Sequence, residues 1–336
     1  MPGIKNLRRL QIGKETTDAP GTAVNATAML WLNGLWLDER TVTFPEEYTG
    51  IIGGRDRNHT DAYLGTMTMD GEATFEQLPY ILEASIMKAT PTTDAGSGSG
   101  VLYTYNFPTT AQGEISTYTI EAGDDNDEEE GTYSFVKDFT LSGNFGEPWM
   151  ISANWEARTV DSSNAFTPTT DLTISEPETM LFGLSRLYIN DTTGTIGTTQ
   201  VSNTFLNASL AVTSGWMSQQ TGDNSLSFAF IKRPSFDAVL DVTFEHNASA
   251  VAEKEKWRLG TARLIRVLVE GSTLTSAGTY TKKTMVVDLP GKWESFDVLS
   301  DINGNDVVTG KFRVRYNATY ASAGSIKVVN ELTALP

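Results

Sequence analysis

Two histidines, His59 and His246, are the only imidazoles in the chain. Neither stands at HExxH or any paired-ligand spacing, so neither reads as half of a metal site. The densest cluster of hard oxygen donors is the run DDNDEEE, with Asp124, Asp125, Asp127, Glu128, Glu129 and Glu130. Such donors suit calcium, but EF-hand spacing is missing. The run reads first as a solvated, mobile loop tip. No GxSxG elbow, GxxxxGK[ST] loop or post-strand GxGxxG occurs. With no cysteine, thiolate metal sites, disulfides and a cysteine nucleophile are excluded. A glycosidase carboxylate pair is compatible with so acidic a chain, yet nothing singles out two residues. The expectation is a protein without catalytic residues, metal or cofactor.

Two further groups invite a binding reading. Lys311, Arg313 and Arg315 alternate along one predicted strand and form the only dense basic stripe. They suit an acidic neighbouring subunit or DNA, or else guard an edge strand against aggregation. Thr41 to Thr60 is a long connection that mixes Phe44, Tyr48 and Ile51 with Glu46, Glu47, Arg55 and Arg57. Long loops in compact domains are usually functional or disordered. This one reads equally as a docking loop between subunits and as a solvated excursion.

The elements that would position these residues are mostly strands. Around Asp61–Ile86, Tyr63, Met67 and Met69 alternate with Thr66, Thr68 and Asp70, the period of a strand with one buried face. Thr74, with Gln77 three residues on, resembles a capping box before Leu78, Ile81, Leu82 and Ile86 at helical spacing. The same plan returns near residue 240. Leu240, Val242 and Phe244 alternate with Asp241, Thr243 and Glu245, Ser249 is the predicted N-cap, and Gly260 the predicted C-cap.

Other pairs follow in the same order. LWLDE near Leu35 matches LYIND near Leu187. Val101–Phe107 matches Leu264–Glu270, and Ile115–Glu121 matches Thr284–Leu289. The strand with Phe139 and Leu141 matches Lys311–Tyr320, and that around Ile151 matches Ile326–Val329. The sequence therefore predicts a tandem duplication. The expected domains are 1–160 with an N-terminal arm, a linker at 161–171, and 172–336. A second excursion, Thr192–Pro234, is longer than its counterpart at Thr41–Thr60.

Composition bounds the rest. The 336 residues suffice for two cores, and the Thr, Gly, Ser and Asn content with short apolar runs favours a mainly β fold (β-rich α+β). The start has basic residues but no apolar h-region, so no secretory signal is expected. No window is apolar enough to span a membrane as a helix. The six N-x-S/T triplets, at Asn25, Asn58, Asn190, Asn207, Asn247 and Asn317, read as chance in an Asn- and Thr-rich chain. A formal charge of −17 argues against gripping nucleic acid by its phosphates.

The segment RRLQIGKETTDAPGTAV, the apolar strand after it, the loop with GGRDRN and then GTMTMDGEATFEQLPYILEASI resemble tail tube (major tail) proteins of long-tailed siphophages. GEATFEQLPYILEA is the most specific part, and the resemblance covers about residues 8–88. Beyond it, the duplicated plan is similar to tube proteins with two tube domains per chain. The resemblance implies β-sandwich-like domains, each with one short flanking helix and a long loop reaching a neighbouring subunit. It implies homo-oligomeric rings, three chains giving a pseudo-hexamer, stacked around a tape measure protein between a tail tip or initiator and a tail terminator. It further implies a virion location, assembly in the host cytoplasm, no catalytic site, and passage of double-stranded DNA without specific binding. The acidic run and the second excursion match no motif of that family. The competing readings are a tandem β-sandwich carbohydrate-binding protein or adhesin, a β-rich glycoside hydrolase, and a capsid or tail-tip component.

Overall fold

The computed structural model describes residues 4–335 except 95–97, 125, 163–164 and 175. It is mainly β. The first half of the chain forms β1 (Arg9–Lys14), β2 (Ala28–Met29), β3 (Leu37–Thr43), β4 (His59–Glu72), α1 (Leu78–Ser85), β5 (Thr92–Thr93), β6 (Val101–Asn106), β7 (Tyr118–Gly123), β8 (Glu128–Asn144), β9 (Met150–Ala157) and β10 (Thr159–Asp161). The second forms β11 (Ser185–Asp191), β12 (Phe205–Thr213), β13 (Met217–Gln219), β14 (Phe230–Lys232), β15 (Asp237–Glu245), α2 (Ala248–Arg258), β16 (Ala262–Thr273), β17 (Lys282–Phe296), β18 (Ser300–Ile302), β19 (Asn305–Val314) and β20 (Ser325–Asn330).

One set of antiparallel pairings occurs twice. In the first half β1 pairs β7, β7 pairs β8, β8 pairs β9 and β10, β9 pairs β4, and β4 pairs β3. In the second β11 pairs β16, β16 pairs β17, β17 pairs β19 and β20, β19 pairs β15, and β15 pairs β12. Even a bulge repeats. It falls between Val136 and Asp138 opposite Trp155, and between Trp293 and Ser295 opposite Phe312. An extra residue in one strand re-aims the side chains beside it, so a bulge at the same place fixes the register of the two halves against each other.

This register corrects the strand matches expected from sequence. Leu264–Glu270 lies in β16, the counterpart of β7 rather than of Val101–Phe107. Thr284–Leu289 lies in β17, the counterpart of β8. Lys311 lies in β19, the counterpart of β9, and Ile326–Val329 in β20, the counterpart of β10. LYIND in β11 corresponds to β1, not to LWLDE. The cause is β6, which has no partner in its own half but β5, and pairs instead with β20 across the halves.

The halves share more than that pairing. Residues Asp138–Asn144 of β8 pair with Asn207–Thr213 of β12, joining the two sets into one sheet. The buried faces of both merge in one apolar cluster that runs from Leu10 and Trp155 to Phe312 and Val328. The segment expected as a linker is tied down where it is described. Thr167 donates from N and Oγ1 to the Glu121 carboxylate at 2.8 and 2.6 Å. The N-terminal arm is held likewise. Buried Glu15 accepts from Gly21 N and Thr117 Oγ1, both 2.7 Å, and from Tyr133 N at 2.8 Å.

The helices differ from their predicted starts by a few residues. α1 begins at Leu78, with Pro79 in its first turn, where no N–H partner is lost. Thr74 Oγ1 accepts from Gln77 N, but Gln77 Oε1 accepts from Trp31 N instead of closing a capping box. In α2 the cap is Asn247, whose side chain accepts from Ser249 N and Ala250 N; Ser249 is inside the helix. Gly260, at φ +62, takes the left-handed position that ends it. All eight residues of α1 are buried, not one face only. Gly131 admits the Trp36 ring where a Cβ would stand 2.3 Å from it, and Trp36 Nε1 donates to Ile120 O at 2.9 Å.

Candidate functional site: an open sheet with two free edges

The repeated strands make a continuous eight-strand sheet in the order β3, β4, β9, β8, β12, β15, β19, β17, four strands from each half. One face is core. Met67, Met69, Ala153, Trp155, Phe139, Leu141, Leu210, Leu240 and Phe312 point into it. The other face is polar because the alternating residues are polar. In register across the sheet stand Glu72, Met150, Ser142, Ser209, Asp241 and Lys311. A second row is Asp70, Ser152, Thr140, Ala211, Val239 and Arg313, and a third contains Thr68, Asn154, Asp138, Thr213 and Asp237. Within that third row Thr68 donates to Asn154 Oδ1 at 2.9 Å and Asn154 to Asp138 at 2.7 Å.

The basic stripe lies on this face, in the sheet interior and not on an edge. β19 has β15 on one side and β17 on the other. Arg313 bonds Asp237 at 2.6 Å and Glu294 at 2.9 Å, and Arg315 bonds Asp237 at 3.0 Å. Lys311 stands opposite Asp241. Burial raises the Asp241 carboxyl, and the Lys311 charge opposes that rise. The stripe is thus set in a frame of carboxylates, while the first half of the face carries Asp70, Glu72 and Asp138.

Both ends of the eight-strand sheet carry exposed apolar side chains. Trp31, Leu35 and Leu37 flank the β3 end; Val298, Leu299 and Ile302 flank the β17–β18 end. Elsewhere, Trp36, Trp149, Trp155, Trp216 and Trp293 are buried. They build the core and its covers.

The acidic run is a loop tip only in its first part, at Asp124, Asn126 and Asp127; the rest is strand. Glu128, Glu129 and Glu130 belong to β8 and pair with Gly123, Ala122 and Glu121. Only a tight turn precedes them, in which Asp124 Oδ1 accepts from Asn126 N and Asp127 N. Asp125 lies outside the described residues. Consecutive glutamates fit a strand here because alternate side chains take opposite faces. Glu128 is buried, and burial first, then Glu121 and Glu130, push its carboxyl up to about 7. Among the described residues no group of three or more His, Asp or Glu is placed to hold a metal ion.

Phe44, Tyr48, Ile51 and Ile52 are exposed in the loop between β3 and β4, Tyr48 and Ile52 fully so. Glu47 pairs with Arg57 at 2.6 Å inside the loop, and Gly50, Gly53 and Gly54 have open space around them. Its counterpart between β12 and β15 behaves differently. Residues 214–236 leave the sheet and fold over the first half. Trp216 and Phe228 form a small core with Tyr133 and Phe135. Ser214 N donates to Lys137 O at 2.9 Å, and Tyr63 N donates to Leu226 O at 3.1 Å. Arg233 reaches the C-terminus of α1. The sequence hid this clasp, because nothing local ties residue 233 to residue 86.

No helix among the described residues is long and apolar enough to cross a membrane. Comparison of the sequence with protein-family models and with curated proteins finds no match.

Proposed function

We propose that this chain is the structural subunit of a phage tail tube, polymerising head to tail into rings that stack around a hollow conduit. The observation that carries the reading is the β8–β12 junction. Two four-strand sets with the same pairings join side by side inside one chain, and the matching edges at the sheet's ends, β3 and the stretch of β17 beyond Lys292, have no further partner strand among the described residues. Such an interface is heterologous, and it makes a ring if the rotation closes. Closure also removes edge strands that would otherwise invite aggregation.

Three chains would give six such sets. With about 4.8 Å per strand and a tilt of about 40°, twenty-four strands have a backbone diameter of roughly 48 Å, wider than the porin barrels that already hold a channel. The polar face would line the lumen. Asp70, Glu72, Asp138 and Asp241 there would repel phosphate, so that a duplex passes without counterion-release binding. Lys311 and Arg313 would not reverse this, being matched to carboxylates. The likeness to siphophage tube proteins adds a tape measure protein, a tip or initiator complex, a terminator and a virion location.

The test is negative-stain electron microscopy of the purified chain at high concentration, beside size-exclusion chromatography of a dilute sample. Hollow tubes or rings of uniform diameter are expected. A chain that stays monomeric even with a tail initiator complex would refute the reading.

A further inference from the structure

An open groove of about 350 Å³ lies beside β17 and β19, lined by Lys292, Trp293, Glu294, Arg313, Arg315 and Tyr316. The repeated register identifies what stands in the same place in the first half. Lys292 opposite Arg313 corresponds to Phe135 opposite Glu156, and Trp293 opposite Phe312 corresponds to Val136 opposite Trp155. Glu294 and Lys137 are the two bulge residues. Arg315 follows Arg313 by two residues, as Arg158 follows Glu156.

Phe135, Val136, Lys137, Glu156 and Arg158 are all met by the 214–236 segment. Ser214 Oγ donates to Val136 O at 2.8 Å, and Ser214 N to Lys137 O at 2.9 Å. Ser218 Oγ donates to Glu156 Oε1 at 2.8 Å, and Arg158 Nη2 donates to Ala229 O at 2.5 Å. The Phe228 ring meets Phe135 edge to face, centroids 6.0 Å apart. One copy of a repeated surface is therefore filled by 214–236; in the other, Trp257 Nε1 of α2 donates to Glu294 O at 3.0 Å and the rest of the groove stands open.

We propose that the groove receives the 44–58 loop of a second copy of this chain. That loop joins β3 to β4 as 214–236 joins β12 to β15, so it is the topological counterpart of the segment that fills the first-half site. It carries uncovered Phe44, Tyr48, Ile51 and Ile52 for an apolar groove. Its Glu46, which lies outside the Glu47–Arg57 pair, would meet Lys292 on the groove wall. The loop cannot serve its own groove. β3 and β17 are the two ends of an eight-strand sheet, about 34 Å apart at about 4.8 Å per strand. The next chain in a head-to-tail ring brings the two together. Tyr48 supplies the aromatic anchor of the loop in the groove.

The inference rests on the head-to-tail reading, and one experiment separates the two. The full chain carries the photo-crosslinking residue p-benzoylphenylalanine at position 48, is mixed with isotope-heavy wild-type chain, assembled, imaged and irradiated. The expected product is an inter-chain cross-link from position 48 to 291–294 or 313–317. Tubes that form while position 48 cross-links elsewhere, such as the rim of a stacked ring, overturn the groove assignment and leave the tube reading standing. Absence of both assemblies and inter-chain cross-links overturns both. As a second arm, Tyr48→Ala raises the concentration needed for assembly at least tenfold without changing the thermal midpoint. An unchanged assembly threshold counts against the anchor role.

Discussion

Arg233 Nη2 donates to the carbonyl oxygen of Ile86 at 2.7 Å, although 147 residues separate them. The same guanidinium serves Ser85 O and lies 4.3 Å from the Trp216 ring centroid. A cation on the last carbonyls of a helix satisfies acceptors that the helix itself leaves free and matches its dipole. Burial pulls the arginine down to about 10, still charged at neutral pH. The second half thus locks the first half's helix.

Arg233→Ala is expected to cost about 2–3 kcal/mol, the scale of charge-assisted hydrogen bonds to groups that stay buried. Urea denaturation checks the value. Limited proteolysis should in parallel cut the 214–236 segment faster in the variant. A loss below about 0.5 kcal/mol would show the clasp to be incidental.

Glu15 anchors the N-terminal segment through its bonds to Gly21, Thr117 and Tyr133. Glu15→Ala leaves those buried donors without an acceptor and is expected to cost about 3 kcal/mol. Glu15→Gln, which keeps an acceptor oxygen, should lose less. The order of the two thermal midpoints against wild type checks this, and equal losses would contradict it.

Glu128 makes the stability of the fold depend on pH. Its carboxyl is raised on folding, to about 7, by burial and by the charges of Glu121 and Glu130, with Arg9 opposing. Between roughly pH 4.5 and 7 the folded chain keeps a proton that the unfolded chain has lost. This group's contribution is therefore most favourable below that window, declines as pH rises through it, and is level above. Glu128→Gln removes the decline. The midpoint of the variant relative to wild type should rise from pH 5 to pH 7.5, and a pH-independent difference would count against the assignment.

The 44–58 loop makes its one described ion pair within itself, between Glu47 and Arg57. Replacing it with an Asn-Gly turn should leave the monomer's stability within about 0.5 kcal/mol of wild type, as for substitutions away from packed features. The same variant should not form tubes. A large drop in monomer stability would mean that the loop supports its own chain.

Periodicity made the strands β4 and β15 and the helices behind them legible, because each of those patterns is local. Thr68 and Asp241 could be assigned to a polar face for the same reason. The partners of each strand were not legible. β6 looks like the strand after a helix, yet it pairs with β20 more than two hundred residues away, and counting it displaced every later match by one. Glu128–Glu130 looked solvated because charge density was read without alternation. Lys311–Arg315 looked like a guarded edge because the carboxylates that frame it, Asp237 and Glu294, come from other strands. The open groove had no signal in the sequence, since it stands out only when the two sets of strand pairings are compared.

The head-to-tail joining of edges is tested most directly by one disulfide. Glu39 pairs with Leu64, three residues before Met67, as Thr213 pairs with Asp237, three before Leu240. Ser295 pairs with Lys311 as Asp138 pairs with Asn154. Since Thr213 pairs with Asp138 inside the chain, Glu39 of one chain should face Ser295 of the next. Facing residues of antiparallel strands are about 4.5–5.5 Å apart at Cα, within disulfide reach. The chain has no cysteine of its own. Oxidation of assembled Glu39→Cys, Ser295→Cys protein should give a covalent ladder that ends at three chains, and neither single variant should give it. Assemblies without this cross-link, or a ladder with no closed end, would contradict the ring.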